Sequence, residues 1–101
     1  MIVDFSIGSR GALVTLSGEL DHHCASGTLR EIQRFLDAEL PGALTVDMKG
    51  VAFMDSSGIG LIMGRSKLMH ECGGILEVRN PQPYIKRVLK LAGIERIVKI
   101  T

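Results

Sequence analysis

Alternating apolar and polar residues near the N-terminus predict two β-strands. Val3, Phe5 and Ile7 alternate with polar neighbours, which is typical of a strand with one buried face. Residues 8–11 begin and end with glycine and have the composition of a turn, and residues 12–16 are rich in β-forming side chains. A strand, a short turn and a second strand together favour an antiparallel hairpin.

Apolar residues at helical spacing then predict a first helix over residues 22–40. Asp21 precedes this stretch and is a candidate N-cap, because aspartate side chains accept hydrogen bonds from the free N–H groups of a first helical turn. Pro41 and Gly42 would end the helix. The apolar positions of the stretch are Ala25, Leu29, Ile32, Phe35, Leu36 and Leu40.

The same periodicity predicts two more helices. The second begins after Asp55, another candidate N-cap, and runs to about Cys72, where a pair of glycines ends it. The third begins at residues 81–83, whose prolines suit the first turn of a helix, and ends at Gly93.

Short β-forming runs separate these helices, over residues 44–48, 75–79 and 97–100. The resulting order is β-β-α-β-α-β-α-β, in which a helix between two strands favours right-handed parallel crossovers. Because 46% of the residues are apolar and 23% are charged, the chain has the composition of one compact domain. The sequence therefore predicts a single α/β domain over residues 1–101, with a mixed β-sheet and helices covering it.

The composition argues against nucleic-acid and membrane partners. Lys and Arg number 12 and Asp and Glu number 11, and the resulting net charge of +1 is too small to hold a polyanion. With Phe at 3 positions, Tyr at 1 and no Trp, the chain offers little surface on which bases could stack. Its longest nearly apolar stretch, residues 58–64, is far shorter than the roughly 18–20 residues of a membrane-spanning helix.

The cysteines and histidines predict neither a disulfide framework nor a metal site. Cys24 and Cys72 form no Cys-x-x-Cys motif and are expected to be reduced thiols, which favours a cytoplasmic protein. His22 and His23 are adjacent, so on a helix their side chains would point about 100° apart and could not chelate one metal ion. We expect neither a metal nor a cofactor.

Residues 55–58, Asp-Ser-Ser-Gly, place two hydroxyl groups at the predicted start of the second helix. The free N–H groups there and the positive end of the helix dipole favour negative charge, so a phosphoryl group would be stabilised. Phosphorylation would add about −1.5 to −2 charges and could act as a switch without refolding. Because parallel strands end at the same edge of a sheet, Asp21 and Ser56 should lie on one edge.

Glycines at positions 58, 60 and 64 also stand at the start of this helix, as in dinucleotide-binding loops. The third glycine comes one residue late for that motif, because Met63 occupies its place. The flanks of Ser56 and Ser57 do not form a Gly-x-Ser-x-Gly motif either, and helix capping alone would explain these serines. A small nucleotide-binding domain stays open as an alternative function.

Four segments of the chain together resemble a known family. They are residues 18–23 (GELDHH), 53–60 (FMDSSGIG), 64–65 (GR) and 86–94 (KRVLKLAGI). These segments are similar to those of STAS domains, most closely the anti-sigma factor antagonists, and the resemblance extends over nearly the whole chain. The resemblance implies an α/β fold of the STAS type.

The resemblance also implies a regulator that is itself not an enzyme. In such antagonists the first serine of the block, here Ser56, is phosphorylated by the anti-sigma factor, which is a serine kinase, and a PP2C-type phosphatase removes the phosphate. The unphosphorylated form would bind the anti-sigma factor and release its sigma factor. Sporulation and general-stress members share the pattern, and a STAS subunit of a transporter complex is a further alternative. The residues expected to contact the partner are Asp21, His22, Asp55, Ser57, Gly58 and Ile59.

Overall fold

The elements appear in the order that the sequence predicts. The computed structural model describes residues 1–39 and 41–101, which form five strands and three α-helices with one 3₁₀ turn. In chain order these elements are β1 (Ile2–Gly8), β2 (Gly11–Leu20), α1 (Ala25–Glu39), β3 (Ala43–Met54), α2 (Ser56–Glu71), β4 (Ile75–Arg79), α3 (Pro83–Leu91), the 3₁₀ turn (Ile94–Arg96) and β5 (Lys99–Ile100).

The strands form one mixed sheet, in which the spatial order follows the order along the chain. β1 and β2 form the predicted antiparallel hairpin, and β2, β3, β4 and β5 run parallel. A helix separates each parallel strand from the next, so the sheet grows in one direction through consecutive crossovers. Crossovers of one handedness that advance in one direction place their helices on the same face of the sheet.

The core lies between that face and the helices. Alternate residues of the central strands are buried, for example Val14 in β2, Val46 in β3 and Val78 in β4. The prediction for α3 is confirmed, because its apolar face points inwards and its Ile85 is fully buried. The buried side chains form one cluster, to which the helices contribute Ile32, Leu36, Leu61, Ile62, Met69, Ile85 and Leu89.

The start of α1 differs from the prediction. The helix begins at Ala25 rather than at residue 22. Asp21 does act as a cap, but of a separate turn: its carboxylate accepts hydrogen bonds from the backbone N–H groups of His23 (3.0 Å) and Cys24 (3.2 Å), and its carbonyl oxygen accepts one from Ala25 (2.8 Å). This turn leads into α1 without being part of it. Leu40, the last apolar residue of the predicted helix, lies outside the described residues.

Two strands are longer than predicted, and one is shorter. β2 and β3 continue to Leu20 and Met54 through a segment where their register shifts twice. The strict alternation of buried residues is lost in this part of β3, which explains why the sequence pattern ended the strand at residue 48. Near the C-terminus the N–H groups of Ile97 and Val98 donate to the Ile94 carbonyl oxygen of the 3₁₀ turn, so β5 contains only Lys99–Ile100 of the predicted 97–100.

Three further expectations concern ligands and membranes. Within residues 1–39 and 41–101, no helix is both long and apolar enough to cross a membrane, and no cluster of three His, Cys, Asp or Glu side chains could hold a metal ion. Both cysteines are free thiols, as expected. The glycines at 58, 60 and 64 lie inside α2, and only Asp55 separates that helix from β3. The strand-to-helix loop that dinucleotide binding requires is therefore not formed by this segment.

Candidate functional site

The carboxyl ends of β2 and β3 lie side by side. Leu20, the last residue of β2, pairs with Met54, the last residue of β3. Asp21 and Asp55, which come next, therefore leave the sheet at the same edge, and the Asp55 N–H donates to the Leu20 carbonyl oxygen at 3.4 Å. The predicted neighbourhood of Asp21 and the serine block is confirmed.

Asp55 connects the two segments through both oxygens of its side chain. Oδ1 accepts a hydrogen bond from the Ser57 N–H at 2.8 Å, which caps α2 as predicted. Oδ2 accepts one from the His22 backbone N–H at 3.2 Å, and the His22 imidazole Nδ1 lies 3.8 Å from the same oxygen. One carboxylate thus positions both the start of α2 and the segment that follows β2.

Both carboxyl groups of this edge are ionised at neutral pH. Loss of solvation raises the pKa of the Asp55 carboxyl, but hydrogen bonds from Ser57, His22 and Gly58 lower it by more, so that the pKa lies below its ordinary value. The pKa of Asp21 is lowered in the same way, because donors of Cys24 and the backbone and charge of His23 outweigh the effect of desolvation. The edge therefore carries two negative charges close to the serines.

Ser56 is the more accessible of the two serines. It is the first residue of α2 and is exposed, whereas Ser57 is half-buried and donates its N–H to Asp55. Asp55 is the N-cap of α2, as the sequence predicts, so Ser56 stands at the first position of the helix. An exposed hydroxyl in a first turn, where N–H groups have no acceptor within the helix, can carry a phosphoryl group without disturbing buried side chains.

Gly58 and Ile59 pack beneath the serines. Gly58 is buried, and a Cβ there would collide with Cγ of Met54 and lie 3.0 Å from Cδ2 of Leu20. The absence of a side chain therefore lets α2 approach the paired ends of β2 and β3. Ile59 is half-buried and packs against the core. The expected contacts of these two residues with a partner stay a prediction.

A groove of about 340 Å³ opens between α1 and α2 beside the serine block. His22, Ser26, Ser57 and Arg65 supply its polar lining. Arg65 also donates from Nη1 to Oε1 of Gln33, which joins the two helices. Sequence reasoning missed Ser26 and Arg65 as neighbours of the site. For Arg65 a signal was present, because it stands eight residues after Ser57 and such spacings place side chains on one row of a helix.

Comparison with known proteins agrees with this arrangement. The family model for the STAS domain matches residues 7–101. Over 92 residues the chain is 36% identical to the anti-sigma F factor antagonist of Paenibacillus polymyxa, a match that covers 90% of this chain and 79% of that protein. The chain belongs to the STAS domain family, among the anti-sigma factor antagonists.

The relatives of this STAS domain include antagonists of two different anti-sigma factors. It is 31% identical over 99 residues to the anti-sigma-B factor antagonist of Bacillus subtilis, which covers 98% of this chain and 89% of that protein. Among solved structures, the unphosphorylated form of the antagonist SpoIIAA matches with a TM-score of 0.83 at 25% identity, over 99% of this chain and 88% of SpoIIAA. The phosphorylated form of SpoIIAA from Bacillus matches with a TM-score of 0.75 at 25% identity, over 99% of this chain and 91% of that one. The predicted fold and family are confirmed.

Proposed function

We propose that this STAS domain is a phosphorylation-switched antagonist of an anti-sigma factor. Its unphosphorylated form binds an anti-sigma factor that is also a serine kinase, and this binding releases the sigma factor. Phosphorylation of Ser56 ends the interaction, and a PP2C-type phosphatase restores it. The domain is the substrate and binder in this cycle rather than a catalyst, and it acts in the cytoplasm.

The observation that carries the proposal is the position of Ser56. Its side chain is exposed at the start of α2, on the edge that Asp55 holds together. A phosphate at a helix start is stabilised by about 0.3–1 kcal/mol. Burying an unpaired ionised group in an interface costs several kcal/mol. The fold therefore tolerates the added charge, whereas a partner that covers Ser56 is released.

The two forms of SpoIIAA support the part of the proposal that concerns the fold. Structures of that antagonist exist with and without phosphate, and this chain matches both over 99% of its length. The STAS fold of SpoIIAA thus persists when the protein is phosphorylated. We expect the same of this domain, so that phosphorylation changes what Ser56 presents to a partner rather than the architecture.

The proposed partner surface surrounds Ser56. Asp21 and His22 border it on the side of β2, and Asp55 and Ser57 border it on the side of β3. Two ionised carboxylates at this edge favour basic side chains on the partner, because complementary charges speed association and fix its orientation. The proposed contacts also include Gly58, which is buried, and Ile59, which is half-buried and follows it in α2.

Incubation with ATP and candidate anti-sigma factor kinases, followed by mass spectrometry of the peptides, tests the proposal. We expect one phosphate on Ser56, which is absent in Ser56→Ala and present in the matched variant Ser57→Ala. Phosphate on Ser57 of the wild type would contradict the assignment. So would binding of an anti-sigma factor kinase without any transfer of phosphate.

A further inference from the structure

A second groove lies towards the other end of α2. It has a volume of about 600 Å³ and runs between α2 and the 3₁₀ turn. We call it the distal groove and define it by its lining residues Met63, Ser66, Lys67, His70, Arg96 and Ile97. None of these residues belongs to the surface that we propose around Ser56.

The distal groove presents two large apolar side chains to solvent. Met63 is 43% exposed and Ile97 is 55% exposed. The walls of the groove are tied together, because the buried Ser66 hydroxyl donates to the Ile97 carbonyl oxygen at 3.5 Å. The Ile97 N–H in turn donates to the Ile94 carbonyl oxygen at 3.0 Å. The two walls of the groove are therefore in contact, and the Met63 and Ile97 side chains are exposed to solvent between them.

The charged side chains that line this groove are both basic. Lys67 comes from α2 and Arg96 comes from the 3₁₀ turn, and both are exposed, as is the His70 imidazole beside them. Among the described residues that line the groove there is no aspartate and no glutamate. An apolar surface with a basic border is complementary to a segment that combines acidic and apolar side chains.

The distal groove and Ser56 share one face of α2. Ser56, Met63 and His70 are spaced by two helical turns each, and all three are exposed. At a rise of about 1.5 Å per residue, Met63 stands about 10 Å from Ser56 along the helix axis. A protein that covers Ser56 can therefore reach the groove along the same face.

We propose that the distal groove binds an acidic segment of the anti-sigma factor, with an apolar side chain of that segment packed between Met63 and Ile97. This inference rests on the proposed function and adds a second contact to it, away from the phosphorylated serine. The contact holds the kinase along α2 while the Ser56 hydroxyl enters the active site. Charge complementarity favours an acidic segment in the groove, because a basic or uncharged segment would leave Lys67 and Arg96 without counter-charges.

Charge reversal in the groove tests the inference by titration calorimetry with the anti-sigma factor. In Lys67→Glu/Arg96→Glu we expect an intact fold, because both residues are exposed, and about tenfold weaker binding, which corresponds to about 1.4 kcal/mol. The matched control Arg30→Glu/Arg34→Glu makes the same change of net charge at exposed positions of α1 and should bind within about twofold of the wild type. An equal loss in both double variants would overturn the inference, because net charge alone would then explain it.

Two further measurements examine the apolar and ionic parts of the contact. Met63→Ala should weaken binding about fivefold, which corresponds to about 1 kcal/mol of lost apolar burial, and unchanged affinity would contradict the packing. Added salt should weaken binding of the wild type more than binding of the charge-reversed variant. If Lys67→Glu/Arg96→Glu fails to fold, Lys67→Gln/Arg96→Gln replaces it, with an expected loss of about threefold.

Ser56→Asp in the same assay separates failure of this inference from failure of the proposed function. If Ser56→Asp loses binding while Lys67→Glu/Arg96→Glu binds like the wild type, the groove contact is wrong and the switch stands. If Ser56→Asp binds like the wild type, the proposed function is wrong. Weakened binding of the groove variants, with an unaffected α1 control, supports the contact.

Discussion

Replacing Gly58 by alanine should destabilise the domain, although alanine is the better helix former. A Cβ at this position would collide with Cγ of Met54 and lie 3.0 Å from Cδ2 of Leu20, and both side chains are buried. Because neither neighbour can move into solvent, the added methyl group should cost about 1–3 kcal/mol by overpacking. The better helix propensity of alanine returns about 1 kcal/mol. We expect the free energy of unfolding to fall by about 1 kcal/mol.

Gly60→Ala is the matched control, in the same helix and two residues further along. A Cβ at Gly60 would have no neighbouring atom within 4 Å, so this variant should gain about 0.5–1 kcal/mol. Thermal unfolding followed by circular dichroism checks both, since 1 kcal/mol shifts the Tm of a domain of this size by about 4–8 °C. The Tm should fall in Gly58→Ala and rise in Gly60→Ala. Equal shifts in the two variants would refute the argument that α2 approaches the strand ends too closely for a side chain.

Three more predictions concern the site. Ser56→Asp should keep the wild-type Tm but lose binding to the anti-sigma factor in calorimetry, whereas Ser56→Ala should still bind. If Ser56→Ala also loses binding, the hydroxyl itself is required. Asp21→Asn keeps a hydrogen-bond acceptor but removes the charge, so it should unfold near the wild-type temperature and bind the anti-sigma factor more weakly. Wild-type affinity would show that Asp21 is only a cap. Acid titration should show stability that is fully present above the unfolded pKa of 3.8 and is lost as the pH falls through the lowered folded pKa values of Asp21 and Asp55. The loss should be smaller in Asp55→Asn.

The helices could be predicted because each presents a face to one core. In α3 the boundaries also carry local signals: Pro83 occupies the first turn, and Gly93 follows the helix with a left-handed φ of 76°. At the start of α1 the prediction failed. Asp21 has the character of a cap, but the turn that it closes precedes α1, which begins only at Ala25, and nothing in the sequence separates that turn from the helix.

At the site, the common edge of Asp21 and the serine block could be predicted from the rule that parallel strands end together. The bridge from Asp55 to the backbone of His22 could not, because it joins residues 33 positions apart and depends on the pairing of Leu20 with Met54. That pairing comes after two register shifts, which the periodicity of the sequence does not predict. The choice of Ser56 over Ser57 came from the family resemblance, and the greater exposure of Ser56 supports it.

Because the spatial order of the strands repeats their order along the chain, the sheet can be assembled in the direction of synthesis. Each strand pairs with a strand that has already left the ribosome, and no strand must wait for a later one to be inserted beside it. Chain closure between neighbouring strands spans only a turn or one crossover, which limits its entropic cost. The edge that bears Asp21 and Ser56 consists only of residues that precede β4, so the whole of it has been synthesised before β4, α3 and β5, which complete the core beneath it.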